Sequence, residues 1–470
     1  MKIILFSPAW SGTHGRYKKL MKVHGENPPM GLVYLAGAAV AAGAEVKIID
    51  AEIQNYTHNS LADEINSYGA DLVGISATTP MFCVAVEYAK KIKQDTRALT
   101  IIGGAHITAL KQDAFDAAFD FGVVGEAEKT LIELIGAIEK KRDFSSVNGL
   151  LYRQDGLVKI NAPRGVTENL AEFGLPKREF LLNERYSVTV PGKGRTIATG
   201  IIASRGCPFH CTFCSAPNSY GGKVRFRDPA DIVDEMSQVL ERFGISHFRF
   251  YDSTLTLNRR QIDGLCEEII ARKIKVTWEG WTRASLIDRQ LIRLMKRSGF
   301  CRISFGVESA NASILKNIKK EVSKEDVRAA IDMSAEEGLE VTCSLMIGNP
   351  GETRQTIIET IKFARSLNNI PYMPLSIATP YPGTEFYSMA KNGEFGLKLL
   401  TEDYSRYLRY DDAVIEVNGL GPRELLRLQR WGLLYIHSRP FRVWYLLRKM
   451  GIKFIFYVAV FFLGFGQRKK

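Results

Sequence analysis

The sequence predicts an α/β protein made of two successive strand–helix units and a helical tail. Three observations predict it. Apolar runs of about six residues alternate with helical stretches, a rhythm that favours parallel strands covered by helices on both faces. The same rhythm stops near residue 146 and resumes near residue 196. In both halves the strands run into short loops rich in Gly, Ser and Thr. The expected organisation is a doubly wound parallel sheet of Rossmann-like type over residues 1–145 and a linker with a β-hairpin over 146–195. A partial TIM-type (β/α)6 barrel over 196–390 and a helical, basic and apolar region over 391–470 follow.

In the first unit, Lys2–Ser7, Glu45–Asp50, Asp71–Ser76 and Leu99–Gly103 read as strands. Gly31–Ala42, Leu61–Ser67 and Phe82–Thr96 read as helices. Ligands of such sheets sit outside the carboxyl ends of the strands. Those ends carry Ser7-Pro8, Ser76-Ala77-Thr78-Thr79-Pro80, Gly103-Gly104-Ala105-His106 and Gly125-Glu126-Ala127-Glu128. Small residues there let a bulky, cofactor-sized ligand approach the backbone. No G-x-G-x-x-G opens a helix after the first strand, so a dinucleotide is poorly supported. In the linker, Asp155-Gly156 turns a hairpin between Leu150–Arg153 and Leu157–Ile160.

In the second unit, strands are expected near Thr199–Ser204, Ser246–Tyr251, Lys275–Trp278, Arg302–Val307, Glu340–Ile347 and Pro374–Ala378. Helices are expected near Pro229–Phe243, Arg259–Arg272, Asp288–Ser298, Lys324–Glu337 and Thr353–Leu367. The first strand runs straight into Cys207-Pro208-Phe209-His210-Cys211-Thr212-Phe213-Cys214, a C-x-x-x-C-x-x-C spacing. Three thiolates on one short loop can hold three iron corners of a 4Fe–4S cluster and leave the fourth open to a small molecule. Zinc is the rival metal, but a structural zinc asks for four ligands, usually in two separated pairs. A disulfide reading meets an odd number of cysteines and no secretory signal.

This loop resembles the signature of the radical SAM superfamily. The resemblance implies that S-adenosylmethionine (SAM) chelates the open iron and is cleaved reductively to a 5′-deoxyadenosyl radical. It implies Cys207, Cys211 and Cys214 as the metal ligands. It also implies SAM contacts at Asp252 and Ser253, Arg283, Glu308, Gly348 and Ala378, each at the end of a barrel strand. Asp252 and Ser253 suit a helix N-cap as well. Pro28-Pro29-Met30-Gly31-Leu32 and the two glycine turns resemble the cobalamin-binding domain that precedes many such cores. Ser76, Thr78, Gly103, Gly104, His106, Gly125 and Glu126 are the contacts that this implies. The D-x-H-x-x-G motif that gives some cobalamin domains a histidine for cobalt is absent. His14 and His106 lack that context, and His106 is expected to make structural or corrin-edge hydrogen bonds.

Composition bounds the rest. The 470 residues have room for two or three domains, and 46% hydrophobic with 24% charged residues is globular. A formal charge of +12 suggests an anionic partner. Four of the seven cysteines (Cys83, Cys266, Cys301 and Cys343) lie scattered in apolar segments and read as buried small hydrophobes. Unpaired thiols and an oxygen-sensitive cluster suit a reducing cytoplasm. Met1–Phe6 is too short an apolar run for a signal peptide and reads as a buried strand.

In the tail, Tyr404–Leu408 and Pro422–Ile436 are expected to be helical. Residues 439–470 hold eight Lys or Arg and no Asp or Glu, around the aromatic stretch Phe454–Phe465. An apolar segment with basic flanks fits an interfacial anchor on an anionic leaflet, with a helix covering the barrel as the bland alternative.

The expected protein is a cobalamin-dependent radical SAM enzyme that modifies an unactivated carbon of a hydrophobic small molecule, foremost by C-methylation. Its cofactors are a 4Fe–4S cluster, SAM and cobalamin, and its reductant is a flavodoxin- or ferredoxin-like donor. Cyclisation or oxidation without methyl transfer uses the same architecture, as in the anaerobic magnesium-protoporphyrin cyclases. A non-catalytic cobalamin and Fe–S sensor is a second class. A tRNA-modifying enzyme would need a nucleic-acid-binding appendage, and none is recognisable. Tyr220, Tyr381 and His210 are candidate relays or packing groups, and no residue is assigned as acid or base.

Overall fold

The computed structural model describes residues 1–11 and 26–450. His14 and the stretch Phe454–Phe465 lie outside the described residues. The first sheet begins with β1 (Lys2–Ser7), which passes through α1 (Met30–Ala41) to β2 (Glu45–Asp50). Then come α2 (His58–Tyr68), β3 (Leu72–Ser76), α3 (Phe82–Asp95), β4 (Leu99–Gly103), α4 (Ala105–Leu110), β5 (Phe121–Val123) and α5 (Glu128–Glu139). The strands from β1 to β5 are parallel, in the order β2-β1-β3-β4-β5. They are near-continuous apolar runs because helices cover both faces.

The hairpin expected in the linker belongs to this sheet. β6 (Leu150–Gln154) pairs antiparallel with β5, and β7 (Leu157–Ile160) pairs antiparallel with β6. Leu150 and Leu151 are fully buried, so this ribbon closes the sheet's edge instead of hanging between domains. The chain then returns over α1. A Cβ on Gly37 would meet the Phe173 and Leu175 carbonyl oxygens at 3.2 and 3.4 Å, which explains the small residues of that helix.

The second sheet is built from β8 (Ser187–Val190) and β9 (Gly194–Ile201), followed by the clasp β10 (Ser204–Arg205), α6 (Ala216–Tyr220) and β11 (Arg225–Phe226). It continues with α7 (Pro229–Phe243), β12 (His247–Phe250), α8 (Arg259–Ala271), β13 (Thr277–Thr282), α9 (Arg289–Arg297) and β14 (Phe300–Glu308). Next come α10 (Ala312–Asn317), α11 (Lys324–Glu336), β15 (Glu340–Ile347), α12 (Arg354–Ser366) and β16 (Leu375–Ile377). Six parallel strands run in sequence order from β9 to β16, with β8 antiparallel at one edge. The expected partial (β/α)6 barrel is therefore open between β8 and β16. The third strand extends to Thr282, four residues past the expected Trp278, because Trp281 continues the alternation.

Side chains alternate across these strands. Phe248, Trp278, Ile303 and Val341 point to the helices and are fully buried. Arg249, Glu279, Arg302 and Glu340 point inward and form a charged layer across the barrel floor. Arg249 Nε lies 2.5 Å from Glu279 Oε1, and Arg302 Nε lies 2.6 Å from Glu340 Oε1. Burial pushes the Glu279 carboxyl up, but Arg249, His247 and Arg302 outweigh it and hold it down at about 2. This layer seals the bottom and leaves the mouth open.

The tail folds back on both units. α13 (Glu385–Asn392) leads to the ribbon β17 (Leu397–Leu399) and β18 (Ile415–Val417), then to α14 (Pro422–His437) and α15 (Pro440–Met450). Residues 404–406 form one 3-10 turn, not the expected helix, because the Tyr404 ring is drawn edge-on against His106 of the first unit at 4.6 Å. No described helix is long and apolar enough to cross a membrane.

Candidate active site between the two sheets

The carboxyl ends of the two sheets face each other. α4 of the first unit packs on α6 of the second, and Ala109 sits 2.9 Å from where a Cβ of Gly383 would be. Asn218 of α6 donates to the Gly383 carbonyl, which joins the cysteine loop to the end of β16.

The cysteine loop is an excursion clasped by β10 and β11. Gly206 takes φ +101°, and a Cβ there would lie 2.4 Å from the Lys223 carbonyl oxygen, so only glycine opens the loop. The Thr212 N–H donates to Ile318 O at 3.2 Å, and Thr212 O accepts from Phe386 N–H at 2.9 Å. Donors are aimed at sulfur. Ala216 N–H reaches Cys214 Sγ at 3.5 Å, and Arg283 Nη1 reaches Cys211 Sγ at 3.5 Å. Cys207 Sγ is 3.8 Å from Thr254 Oγ1. Burial, with lesser contributions from Cys211 and Cys207, pushes the Cys214 thiol up. Among the described residues no three His, Cys, Asp or Glu side chains converge as they would on a single ion. A 4Fe–4S cluster asks for something else, one thiolate per iron corner, and an all-sulfur set with N–H donors suits that group.

The expected SAM contacts occupy the strand ends around this loop. Asp252 is buried at the end of β12, where it accepts from Ser204 Oγ at 2.5 Å and Ala203 N–H at 3.2 Å. Burial raises its carboxyl to about 6. Ser253 beside it is exposed. Arg283, at the end of β13, stacks 3.7 Å over the Phe209 ring and donates to Lys320 O at 3.0 Å. It braces the cysteine loop. Glu308 ends β14 at φ +63°, in the left-handed region that strains a non-glycine residue, and the register with β15 shifts there. Its Oε1 lies 3.4 Å from Lys320 Nζ, in the space that a Cβ on Gly306 would fill.

Gly348, at φ +88°, donates its N–H to Glu352 Oε2 at 2.5 Å, and Asn349 N–H donates to the same oxygen at 2.9 Å. The Glu352 carboxyl is buried, and burial raises it to about 7. Ala378, buried, follows β16 and donates its N–H to Ile347 O at 2.8 Å.

On the first unit, Ser76, Gly103 and Gly125 sit at strand ends with partial exposure, and Thr78 is exposed. Gly104 takes φ +109°, and a Cβ there would strike the Ala77 carbonyl oxygen at 2.5 Å, so only glycine makes this turn, while Cβ atoms on Gly103 and Gly125 would meet nothing within 4 Å and leave an open cradle at the strand ends. The Gly125 N–H donates to Thr108 Oγ1 at 3.0 Å. His106 is fully buried beneath the cradle. Its Nδ1 is 3.2 Å from Thr79 Oγ1, its ring stacks on Phe82 at 4.1 Å, and its Nε2 has no hydrogen-bond partner. Burial lowers the imidazole to about 4, so it is neutral. The glycine cradle over a neutral aromatic floor fits a large planar cofactor.

One feature escaped the sequence reading. Glu126 is clamped by the second unit: its carboxylate lies 2.8 Å from Arg225 Nη1 and 3.4 Å from Arg205 Nη1, and it accepts from Thr167 N–H at 2.8 Å. Arg205, two residues before Cys207, also reaches Glu128 Oε1 at 2.6 Å. Burial pushes the Glu126 carboxyl up, but these partners carry it below its ordinary range. No motif pairs these residues; only the fold brings them together. Tyr220 and Tyr381 are half-buried, and His210 is exposed.

Comparison with known proteins agrees with this architecture. The radical SAM superfamily matches residues 201–364, and the B12 binding domain matches residues 20–135. An uncharacterised methyltransferase of Pyrococcus horikoshii is 31% identical over 446 residues, 94% of this chain and 93% of that one. The anaerobic magnesium-protoporphyrin IX monomethyl ester cyclase of Rubrivivax gelatinosus is 30% identical over 399 residues, 82% of this chain and 69% of that one. The radical SAM methyltransferase TsrM of Kitasatospora setae, solved with cobalamin and a 4Fe–4S cluster, shares the fold with a TM-score of 0.72 at 19% identity, over 93% of this chain and 88% of that one. The chain belongs to the cobalamin-dependent radical SAM enzymes, whose cofactors are a 4Fe–4S cluster, SAM and cobalamin.

Proposed function

We propose that the enzyme replaces a C–H bond with a C–CH3 bond at an unactivated carbon of a hydrophobic small molecule. The observation that carries this reading is the placement of the three-cysteine loop and the glycine cradle on facing strand ends, joined through α4, α6 and Gly383. When bound, the cluster and SAM supply hydrogen abstraction, and cobalamin supplies the methyl group. Cys207, Cys211 and Cys214 would hold the cluster. Asp252, Ser253, Arg283, Glu308, Gly348 and Ala378 would surround SAM, and Ser76, Thr78, Gly103, Gly104, His106, Gly125 and Glu126 would surround cobalamin. The chain's own part is positional: it seals the barrel floor with charge, holds the loop with Arg283 and fixes the gap between the sheets.

Anaerobic turnover with SAM deuterated in its methyl group, offered lipid and tetrapyrrole extracts and read by mass spectrometry, tests this. Label is expected in a product. A cyclised or dehydrogenated product without label would transfer the chain to the cyclase chemistry that its Rubrivivax relative is named for. Formation of no 5′-deoxyadenosine would favour a sensor.

The reading also places the enzyme in the cytoplasm, reduced by a flavodoxin or ferredoxin and docked on an anionic membrane surface. Phe441, Trp444 and Leu447 are exposed on α15, with Arg448 5.2 Å from the Trp444 ring centroid, and no acidic residue follows Glu424. Aromatic side chains interleaved with cations suit the headgroup region. The full chain is expected to sediment with vesicles containing phosphatidylserine and to stay in solution with neutral ones. Equal recovery in both supernatants rejects the docking.

A further inference from the structure

Arg283 is a buried cation without a carboxylate. It directly follows β13, is 6% exposed, and makes no ion pair among the described residues. Arg178, Arg225 and Arg227 are as deeply buried, and each holds a glutamate. Arg442 closes the end of α12 through the Ala364 and Leu367 carbonyls. The Arg283 guanidinium lies on the cysteine loop instead. Its Nη1 donates to Cys211 Sγ at 3.5 Å, and its central carbon stands 3.7 Å from the Phe209 ring centroid. Nη2 donates to the Lys320 and Glu321 carbonyls at 3.0 and 3.4 Å, which fixes the fork in place. Burying a guanidinium without a counter-charge is costly. The negative partner within its hydrogen-bond reach is the Cys211 sulfur, which is anionic once it ligates metal.

That contact has a redox consequence. A 4Fe–4S cluster on this loop gains one negative charge when it is reduced. Burial disfavours the gain, and a fixed cation against a ligand sulfur offsets it. Hydrogen bonds to sulfur and net charge are among the things that set the potential of such clusters. A guanidinium keeps its charge inside a protein, so the compensation needs no proton. The next cation is Lys320, with its Nζ 5.9 Å from the Phe213 ring centroid, but Glu308 already takes it up at 3.4 Å. The charge of Arg283 is therefore left for the loop.

We infer that Arg283 is a positioning residue that raises the reduction potential of the cluster, acting through the Cys211 sulfur. The step it serves moves one electron from a low-potential donor protein to the cluster. The donor is oxidised by that electron, no bond forms or breaks, and no proton moves. Without Arg283 the same donor reduces a smaller fraction of the protein. The inference rests on the three-cysteine loop holding the cluster, and it is independent of methyl transfer. A guanidinium also suits the carboxylate of SAM, so the first measurement is made without SAM.

The full chain is reconstituted anaerobically with iron and sulfide. The midpoint potential of its cluster is read by electron paramagnetic resonance at a series of fixed solution potentials, without SAM or substrate. Arg283→Gln is expected to keep its iron and to shift the midpoint downward by about tenfold in the reduction equilibrium, ~59 mV for one electron, the scale of a lost hydrogen bond to a charged group. Arg283→Lys keeps the charge without the fork and is expected to recover part of the shift. Phe209→Leu removes the ring against the guanidinium and is expected to shift the midpoint the same way by less. SAM affinity, from the change in the resonance signal on adding SAM, is then read on the same samples. In wild-type protein grown on arginine labelled with heavy nitrogen, pulsed resonance is expected to show a nitrogen coupling to the reduced cluster, which needs no variant that folds. An unmoved midpoint in Arg283→Gln, a loss confined to SAM affinity, or an absent nitrogen coupling overturns the inference alone. Wild-type protein that assembles no cluster overturns it together with the assignment of the loop. Absence of methyl transfer touches neither measurement.

Discussion

Alanine at any one of Cys207, Cys211 or Cys214 is expected to bring 5′-deoxyadenosine formation to background and to strip most of the iron and sulfide from the anaerobically purified protein. The expectation is severe because no other thiolate can step in. Burial pushes the Cys266 and Cys301 thiols up to about 12 and raises Cys343 further. Cys83 is raised by burial as well and sits in the first unit, on α3. These groups are neutral packing atoms at working pH, so a site with one ligand removed has no local donor. Two thiolates leave a second iron without protein, which loosens the cluster and removes the single open corner that SAM needs. The matching control is Cys343→Ala, which opens a small cavity behind β15 and is expected to lower stability while leaving the iron content intact. Iron assay and product chromatography on the four variants check this. Retained cleavage in any of the three loop variants would mean that the loop does not hold the cluster.

The cysteine spacing carries information in the sequence because three residues of one kind on one loop need no tertiary structure to be read together. Most strands are legible for a related reason: buried parallel strands are continuous apolar runs whose ends drift, whereas the three-residue β5 and the edge strand β8 are too short to be read as strands. The third barrel strand was read short because Glu279 and Gly280 break the apolar run, whereas in the fold Glu279 is satisfied by Arg249 and Arg302 in the floor layer. The hairpin at 150–160 was legible as a hairpin but not as an edge of the first sheet, since the partner of β6 is β5, about thirty residues upstream. The pairing of Glu126 with Arg225 joins residues 99 apart in the chain, and that of Glu308 with Lys320 residues 12 apart across a strand end and a helix, with no motif between them.

Glu235→Ala is expected to cost about 3–5 kcal/mol of stability, the range for breaking a buried ion pair by removing one partner. Glu235 is 1% exposed on α7, and its two oxygens hold two arginines: Oε1 lies 2.5 Å from Arg178 Nη2, and Oε2 lies 2.5 Å from Arg227 Nη1. Arg178 comes from the linker and also binds Gly200 O at 2.6 Å. Arg227 reaches the Tyr34 hydroxyl of α1 at 3.4 Å. A single carboxylate therefore ties the linker, the clasp and the first unit to the barrel. Its removal leaves two buried cations facing each other without compensation. Glu235→Gln keeps the shape and one of the two accepting contacts but not the charge, and is expected to lose less.

Chemical denaturation of the three proteins reads the order, and a loss below about 1 kcal/mol for the alanine variant would mean that the joint is not held here. The wider point is why the joint is charged at all. Two strand-end faces that met through apolar surface would close on each other. Directional ion pairs such as this one, Arg225 with Glu126 and Arg205 with Glu128 fix a distance instead. The latter two tie Glu126 and Glu128, at the carboxyl end of the first sheet, to the clasp that carries the cysteine loop, and so hold the two groups of proposed cofactor contacts at a set separation.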